Sequence, residues 1–109
     1  MKKINPRILN FFDALSDETR LNIIISISKK PLTVNDIHKF IPEITLSGIS
    51  HQLKLLSNLG IVEYEKEGRK RFYRLSHDYC WCILKDAFNT MNKKTKCSKC
   101  VDIEKTGGL

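Results

Sequence analysis

The sequence predicts a mainly α-helical domain with one small β-hairpin, in the order α-α-α-α-β-β-α. Two patterns support this fold class. Apolar residues recur at three- and four-residue spacing in four stretches between residues 6 and 59, and again in one stretch near the C-terminal end. Between these regions, residues 61–75 alternate β-branched or aromatic with polar side chains around a Glu-Gly pair, as hairpins do. At 109 residues, the chain has room for one compact domain.

The first two helices are predicted from an apolar stripe and from capping residues. The first helix runs from about Pro6 to Leu15, because proline is favoured in an opening turn. Its apolar stripe consists of Ile8, Leu9, Phe12 and Leu15. Ser16 is expected to cap the second helix, with Asp17 in the first turn, where negative charge suits the helix dipole. This helix ends near the Lys-Lys-Pro break at 29–31.

The third and fourth helices are predicted to be joined by a short connection. Thr33 caps the third helix, and Pro42 stops it. Its expected apolar face consists of Val34, Ile37 and Phe40. The fourth helix runs from Ser47 to about Leu59 and is closed by Gly60. Its expected core face consists of Ile49, Leu53 and Leu56, and its opposite, polar face consists of Ser47, His51, Lys54 and Asn58.

Two short helices with a tight connection, the second with an outward polar face, are typical of a helix-turn-helix. The hairpin that follows is basic at its tip, where the cations are Lys66, Arg69, Lys70 and Arg71. The predicted fold is therefore a winged helix-turn-helix. A final helix is predicted from about residue 77 to residue 92. We expect residues 1–93 to form the folded domain and residues 94–109 to form a polar, cysteine-containing tail.

Charge and composition narrow the classes of function. The formal net charge is +7, which argues for an acidic partner, and nucleic acid is the common one. No stretch approaches the roughly 20 apolar residues that span a membrane, and no signal peptide is recognisable, so we expect a cytoplasmic protein. We expect no enzyme, because the sequence has no Gly-rich phosphate loop, no nucleophile elbow and no catalytic grouping of its three histidines.

Two stretches of the sequence resemble the ArsR family of bacterial and archaeal winged-helix repressors. LSDETRLNII, residues 15–24, is similar to the opening motif of the family, and SGISHQLKLLSNLGIVEYEKEGRKRFYRL, residues 47–75, is similar to its recognition helix and wing. The resemblance covers about residues 9–91. It implies a homodimer that packs through the first and last helices and represses transcription by binding a palindromic operator in double-stranded DNA.

The resemblance also implies which residues contact DNA. On the recognition helix these positions are Ser47, Gly48, Ser50, His51 and Lys54, and on the wing they are Arg69, Lys70 and Arg71. Serine and histidine can donate to base edges, whereas lysine and arginine most naturally meet phosphates. The carboxylates of Glu63, Glu65 and Glu67 must then point away from phosphate. We expect Asp17 and Arg20 to form a structural ion pair.

A winged helix can instead serve as a protein-interaction subunit of transcription or replication machinery. That alternative would not require His51 and Lys54 on the exposed recognition face. It also would not require four cationic side chains on the wing. Binding to DNA separates the two functions.

The resemblance also allows a test of metal sensing, by asking which residues of this sequence occupy the metal-ligand positions of the family. One metal site of the family is a Cys-x-Cys pair, which falls on Thr33 and Asn35, and the other site falls on His77, Tyr79, Thr90 and Lys93. Neither set of residues can hold zinc tightly. The remaining candidate ligands are Cys80, Cys82, Cys97 and Cys100. Three alternatives stay open for these cysteines: they bind zinc or another thiophilic metal ion, they form a disulfide or thiol switch, or they sense nothing.

Overall fold

The computed structural model describes residues 1–79 and 81–93, in two compact units, of which the first ends at Asp78 and the second begins at Tyr79. The elements of the first unit are α1 (Pro6–Leu15), α2 (Glu18–Ser26), α3 (Val34–Phe40), α4 (Leu46–Asn58), β1 (Val62–Glu67) and β2 (Lys70–Leu75). The second unit contains α5 (Cys82–Lys93). This order confirms the predicted fold class. Within the described ranges, no helix is long and apolar enough to cross a membrane.

The boundaries of α1 are those predicted, whereas α2 begins one residue later than expected. The cap of α2 is Asp17, whose Oδ2 accepts a hydrogen bond from the backbone N–H of Arg20 at 2.9 Å. Ser16 instead ends α1. A carboxylate is as good an acceptor as a serine hydroxyl and adds the negative charge that a helix N-terminus favours. The predicted ion pair is present, with Arg20 Nε 3.8 Å from Asp17 Oδ2.

The cap of α3 is a complete capping box, which confirms the role predicted for Thr33. Its Oγ1 accepts from the backbone N–H of Asp36, and its own N–H donates to Asp36 Oδ2, both at 3.2 Å. The prediction for Phe40 was wrong, because this side chain is 66% exposed. Val34 and Phe40 lie about 120° apart around the axis, so one core cannot cover both ends of the predicted face.

The core of the first unit lies where α2, α3 and α4 meet the base of the hairpin. Its largest fully buried side chains are Ile23, Ile24, Ile37, Ile49, Leu53, Leu56 and Ile61. The predicted core face of α4 is therefore confirmed. Burying one aliphatic side chain of this size contributes roughly 1.5–3 kcal/mol, so three of them hold the orientation of α4 firmly. The opposite face of α4 is consequently fixed toward solvent.

β1 and β2 form an antiparallel hairpin, which we call the wing (residues 62–75). The register runs from Val62↔Leu75 to Glu67↔Lys70, and the two connecting residues are Gly68 and Arg69. The turn is thus centred one residue later than the predicted Glu-Gly pair. Gly68 has φ of +64°, a conformation that costs glycine little and other residues more.

A backbone bridge ties the wing to the segment that leads into α3. The N–H of Leu32 donates to the carbonyl of Tyr73 at 3.0 Å, and the N–H of Tyr73 donates to the carbonyl of Leu32 at 2.8 Å. Both side chains are buried. The bridge therefore sets the position of the wing relative to the helix-turn-helix.

The last helix, α5, begins five residues later than predicted. The predicted start failed because the preceding residues make local bonds of another kind: the N–H of Ser76 donates to the carbonyl of Ile61 at 2.9 Å, and the Ser76 hydroxyl accepts from the N–H of Asp78 at 3.2 Å. The predicted tail, residues 94–109, lies outside the described residues, so the domain boundary stays a prediction.

Candidate nucleic-acid interface

The exposed face of α4 carries most of the predicted helix contacts. Ser47, Ser50, His51 and Lys54 are all exposed. Gly48 differs from them, because it lies close to the connection before α4. A Cβ at this position would come within 3.1 Å of both Ile44 Cγ2 and Thr45 Oγ1. The structure thus places four of the five predicted positions toward solvent and gives Gly48 a packing role as well.

The start of α4 is held by its cap. Thr45 Oγ1 accepts from the N–H of Gly48 at 3.0 Å and lies 3.3 Å from the hydroxyl of Ser47. The first turn of the helix is therefore ordered before any ligand arrives. In helix-turn-helix proteins, the N-terminal residues of the recognition helix are the ones that contact base edges.

A groove of about 940 Å³ joins α3, α4 and the wing. It brings together five of the eight predicted contact residues: Ser50, Lys54, Arg69, Lys70 and Arg71. It adds a cation that was not predicted, Lys39 of α3. Among the described residues, Asp36 is the one acidic side chain that lines it, and hydrogen bonds with Thr33 hold the pKa of this carboxyl below its ordinary value. The groove is therefore strongly cationic, which suits a phosphate backbone.

The register of the wing sorts its side chains onto two faces, because residues that pair directly share a face and neighbours along a strand alternate. One face, which we call the groove face, consists of Val62, Tyr64, Lys66, Arg71, Tyr73 and Leu75, and Tyr64, Arg71 and Tyr73 line the groove. The acidic face consists of Glu63, Glu65, Glu67, Lys70, Phe72 and Arg74, of which Lys70 and Phe72 also line the groove. In the described part of the chain, none of the three wing glutamates lines the groove, as DNA binding requires.

Arg74 binds two of these glutamates, and its role was not predicted from the sequence. Its Nε donates to Glu63 Oε1 at 3.0 Å, and its Nη1 lies 3.3 Å from Glu65 Oε1. The hydrogen bond to Glu63 raises the pKa of Arg74 above its ordinary value. The available sequence signal was the alternation of the two strands, which places Arg74 opposite Glu63 once the turn is correctly centred.

Tyr64 is a second residue of the interface that was not predicted. The guanidinium of Arg71 lies over its ring, 4.8 Å from the centroid, and the rings of Tyr64 and Tyr73 are 5.4 Å apart. A cation–π contact at an exposed site contributes about 0.5–1 kcal/mol. This contact holds Arg71 on the groove face, so less side-chain freedom is lost when the guanidinium meets an anion.

The described residues do not form a metal centre of the types that the resemblance implies. Thr33 Oγ1 serves as a helix cap, and neither Thr33 nor Asn35 offers a thiolate, so this pair does not fit a metal ion. Over residues 1–79 and 81–93, no three side chains of His, Cys, Asp or Glu come together to hold a metal. Of the predicted cysteine ligands, Cys82 is exposed at the start of α5. Cys80, Cys97 and Cys100 lie outside the described residues.

Comparisons with known proteins agree with this geometry. The sequence model of the arsR family of bacterial regulatory proteins matches residues 17–64. The chain is 38% identical to a cadmium resistance transcriptional regulatory protein CadC homolog of Staphylococcus aureus, over 81% of this chain and 74% of that protein. It is 30% identical to a transcriptional repressor SmtB homolog of Synechocystis sp., over 79% of this chain and 71% of that protein.

A solved structure extends the likeness to the fold. The transcriptional repressor BigR from Xylella fastidiosa superposes with a TM-score of 0.68 at 27% identity, covering 79% of this chain and 86% of that one. The family match runs from α2 into β1, and so includes the whole helix-turn-helix. The relatives are regulators of transcription and not enzymes. The chain therefore belongs to the ArsR family of bacterial regulatory proteins and is a DNA-binding transcriptional regulator.

Proposed function

We propose that the protein is a homodimeric repressor that binds a palindromic operator. The observation that carries the proposal is the cationic groove, which connects the polar face of α4 to the groove face of the wing. In this arrangement α4 enters the major groove of DNA, and the wing follows the flanking backbone. Repression is supported by relatives that are named as repressors. Because its partner is operator DNA, we also propose that the protein works in the cytoplasm.

Each group of residues has a separate task in this proposal. Ser50 and His51 are exposed on α4 and read base edges, because their side chains can donate and accept hydrogen bonds. Ser47 and Gly48 lie in the first turn of α4 and set its approach to the bases. The phosphate contacts are Lys54, Arg69, Lys70 and Arg71.

The dimer is proposed from apolar side chains that the chain leaves exposed. On α1, Ile8, Leu9 and Phe12 are 49%, 57% and 52% exposed. On α5, in the second unit, Ile83, Phe88 and Met91 are exposed. Contiguous apolar side chains in water mark an interaction surface, and a two-fold axis between two copies matches a palindromic site.

Binding to duplex DNA tests the proposed function. We expect binding to generic duplex at low salt, a steep fall in affinity as salt increases, and tighter binding to a palindrome selected from random duplexes. A selection that enriches single half-sites would contradict the dimer. If no duplex binds at low salt, the protein-interaction alternative replaces the repressor.

We propose Cys80, Cys82, Cys97 and Cys100 as the residues through which an effector acts. Thiolates bind zinc and other thiophilic metals, and the CadC relative is named for cadmium resistance. The same thiols could form a redox switch. Two measurements on anaerobically purified protein separate these alternatives: its metal content and a titration of its thiols. Operator binding is then measured with and without a chelator, and with and without an oxidant. If neither reagent changes operator binding, the cysteines sense nothing.

A further inference from the structure

We infer that Arg74 is a positioning residue for DNA binding, which acts by occupying the carboxylates of Glu63 and Glu65 and does not itself contact DNA. The inference rests on the proposed function. It adds a role for the acidic face of the wing, which the phosphate contacts leave unexplained.

The geometry distinguishes Arg74 from the other wing cations. Its guanidinium bonds two carboxylates at 3.0 and 3.3 Å, and its side chain is 34% exposed. Arg69, Lys70 and Arg71 are exposed and line the groove, whereas Arg74 does not line it. A guanidinium carries a single positive charge, and the two carboxylates beside Arg74 more than neutralise it, so Arg74 attracts a phosphate much less than the groove cations do.

The two carboxylates lie close enough to the groove to matter. Along β1, Glu63 and Glu65 flank Tyr64, whose ring lines the groove. The wing is a single layer of backbone, and charges are screened only beyond about 10 Å at 0.1 M salt. The group formed by Glu63, Glu65 and Arg74 carries a net charge of −1, by formal count, and would carry −2 without the arginine.

An unoccupied carboxylate would also compete with DNA for basic side chains. Lys70 lies on the same face as Glu63, Glu65 and Glu67, and it lines the groove. Glu67 lies directly opposite Lys70 and Glu65 lies diagonally across from it. Because Arg74 binds Glu65, it removes one of the two carboxylates nearest Lys70 from this competition.

The test compares variants of the whole 109-residue chain on one generic duplex and one selected palindrome. Arg74→Met is expected to weaken binding to both roughly three- to tenfold at low salt, the scale of one charge near a surface. The triple variant Arg74→Met, Glu63→Gln, Glu65→Gln is expected to bind at least as tightly as wild type. A direct phosphate contact by Arg74 predicts the opposite, because the triple variant still lacks the guanidinium. Weak binding by the triple variant overturns the inference.

A second variant keeps Arg74 and removes the carboxylates instead. Glu63→Gln with Glu65→Gln removes both negative charges, so we expect binding at least as tight as wild type at low salt. Weaker binding by this double variant also overturns the inference. Lys29→Met is the control, because it removes an exposed cation outside the groove, and we expect it to have a much smaller effect.

The salt dependence separates repulsion from a purely structural role. Repulsion by freed carboxylates is screened, so the deficit of Arg74→Met should shrink as salt increases from 0.05 to about 0.3 M. A misfolded wing would keep its deficit at every salt concentration, and that result would overturn the inference. If wild type binds no duplex, both the inference and the proposed function fail. If wild type binds and the triple variant binds weakly, the inference alone fails.

Discussion

His51 projects from the exposed face of α4, in the second turn of the helix. We expect His51→Ala to relax sequence preference, because a side chain that reads a base edge favours the correct base by about 1–3 kcal/mol. The ratio of operator to generic affinity should fall, while generic affinity stays near wild type. Competition shift assays measure both. A His51→Ala variant with unchanged operator preference would show that α4 is not the recognition helix.

Arg69 lies in the turn of the wing and lines the groove. We expect Arg69→Ala to weaken binding to all duplexes about equally, because an arginine that meets a phosphate reads no base. The slope of log affinity against log salt should become shallower by about 0.9 for each phosphate that the variant leaves without a cation. Lys29→Ala, which removes the same charge outside the groove, is the matched control. If Arg69→Ala weakened binding to the operator only, Arg69 would not be a phosphate contact.

The capping box of α3 couples stability to pH. Hydrogen bonds with Thr33 lower the pKa of Asp36, whose ordinary value is 3.8, so the native state favours its carboxylate. The stabilisation is complete above the unfolded pKa and is lost as pH falls through the lowered native pKa. Asp36→Asn should therefore be less stable than wild type at pH 7. The difference should begin to shrink as pH falls to about 3.8 and should disappear only below the lowered native pKa of Asp36, as measured by urea unfolding.

Thr33→Ala is the companion change, because it removes the other half of the box. We expect a loss of about 1 kcal/mol, the usual effect of deleting a helix cap. In the Thr33→Ala background, Asp36→Asn should cost less than in wild type, because the two residues share hydrogen bonds. If the losses in unfolding free energy of the two single variants simply add in the double variant, Thr33 and Asp36 are not coupled.

At the scale of elements, the turn of the wing depends on Gly68. A Cβ at Gly68 would meet nothing within 4 Å, so the restriction comes from φ of +64° and not from crowding. We expect Gly68→Ala to destabilise the wing by about 1–2 kcal/mol and to increase hydrogen exchange of the hairpin amides. Gly60→Ala is the comparison, because Gly60 also has positive φ and empty space around it but follows α4. Gly60→Ala should lower the free energy of global unfolding but should change hydrogen exchange of the hairpin amides less than Gly68→Ala does.

The elements differ in how far sequence could predict them. The cap at Thr33 and the two faces of α4 depend on neighbours within about one turn, so they were predictable. The pairing of Arg74 with Glu63 depends on strand register across eleven residues, and a turn placed one residue early hides it. The start of α5 failed for a similar reason, since Ser76 is held by Ile61, a partner fifteen residues away.

In the candidate site, too, the local features were predictable from the sequence and the long-range placement was not. Residue types and spacing predicted the cations of the wing and the polar face of α4. The groove itself could not be predicted, because the Leu32–Tyr73 bridge brings the wing to α3 and α4. Lys39 and Tyr64 enter the interface only through that tertiary placement.

At the scale of the whole molecule, the exposed apolar face of α1 predicts the oligomeric state. Phe12→Glu places a charge where Ile8 and Leu9 are also exposed, and we expect it to shift the dimer toward monomer. Sedimentation velocity measures the shift, and affinity for the palindrome should fall with it. Phe40→Glu is the matched control, because Phe40 is 66% exposed on α3, outside the proposed dimer surface. Equal dissociation by both variants would argue against the assignment to α1.

The two-faced wing also constrains how its length can change. Because side chains alternate, one residue inserted into β1 would exchange the faces of every position beyond it, and carboxylates would then turn toward the groove. One residue inserted in each strand would keep the pairing but would still exchange the faces beyond it, whereas two residues in each strand would keep both the pairing and the faces. In a set of natural or engineered length variants, functional wings should therefore differ by multiples of four residues. Length in steps of four, rather than sequence similarity, would then identify the variants that still bind DNA.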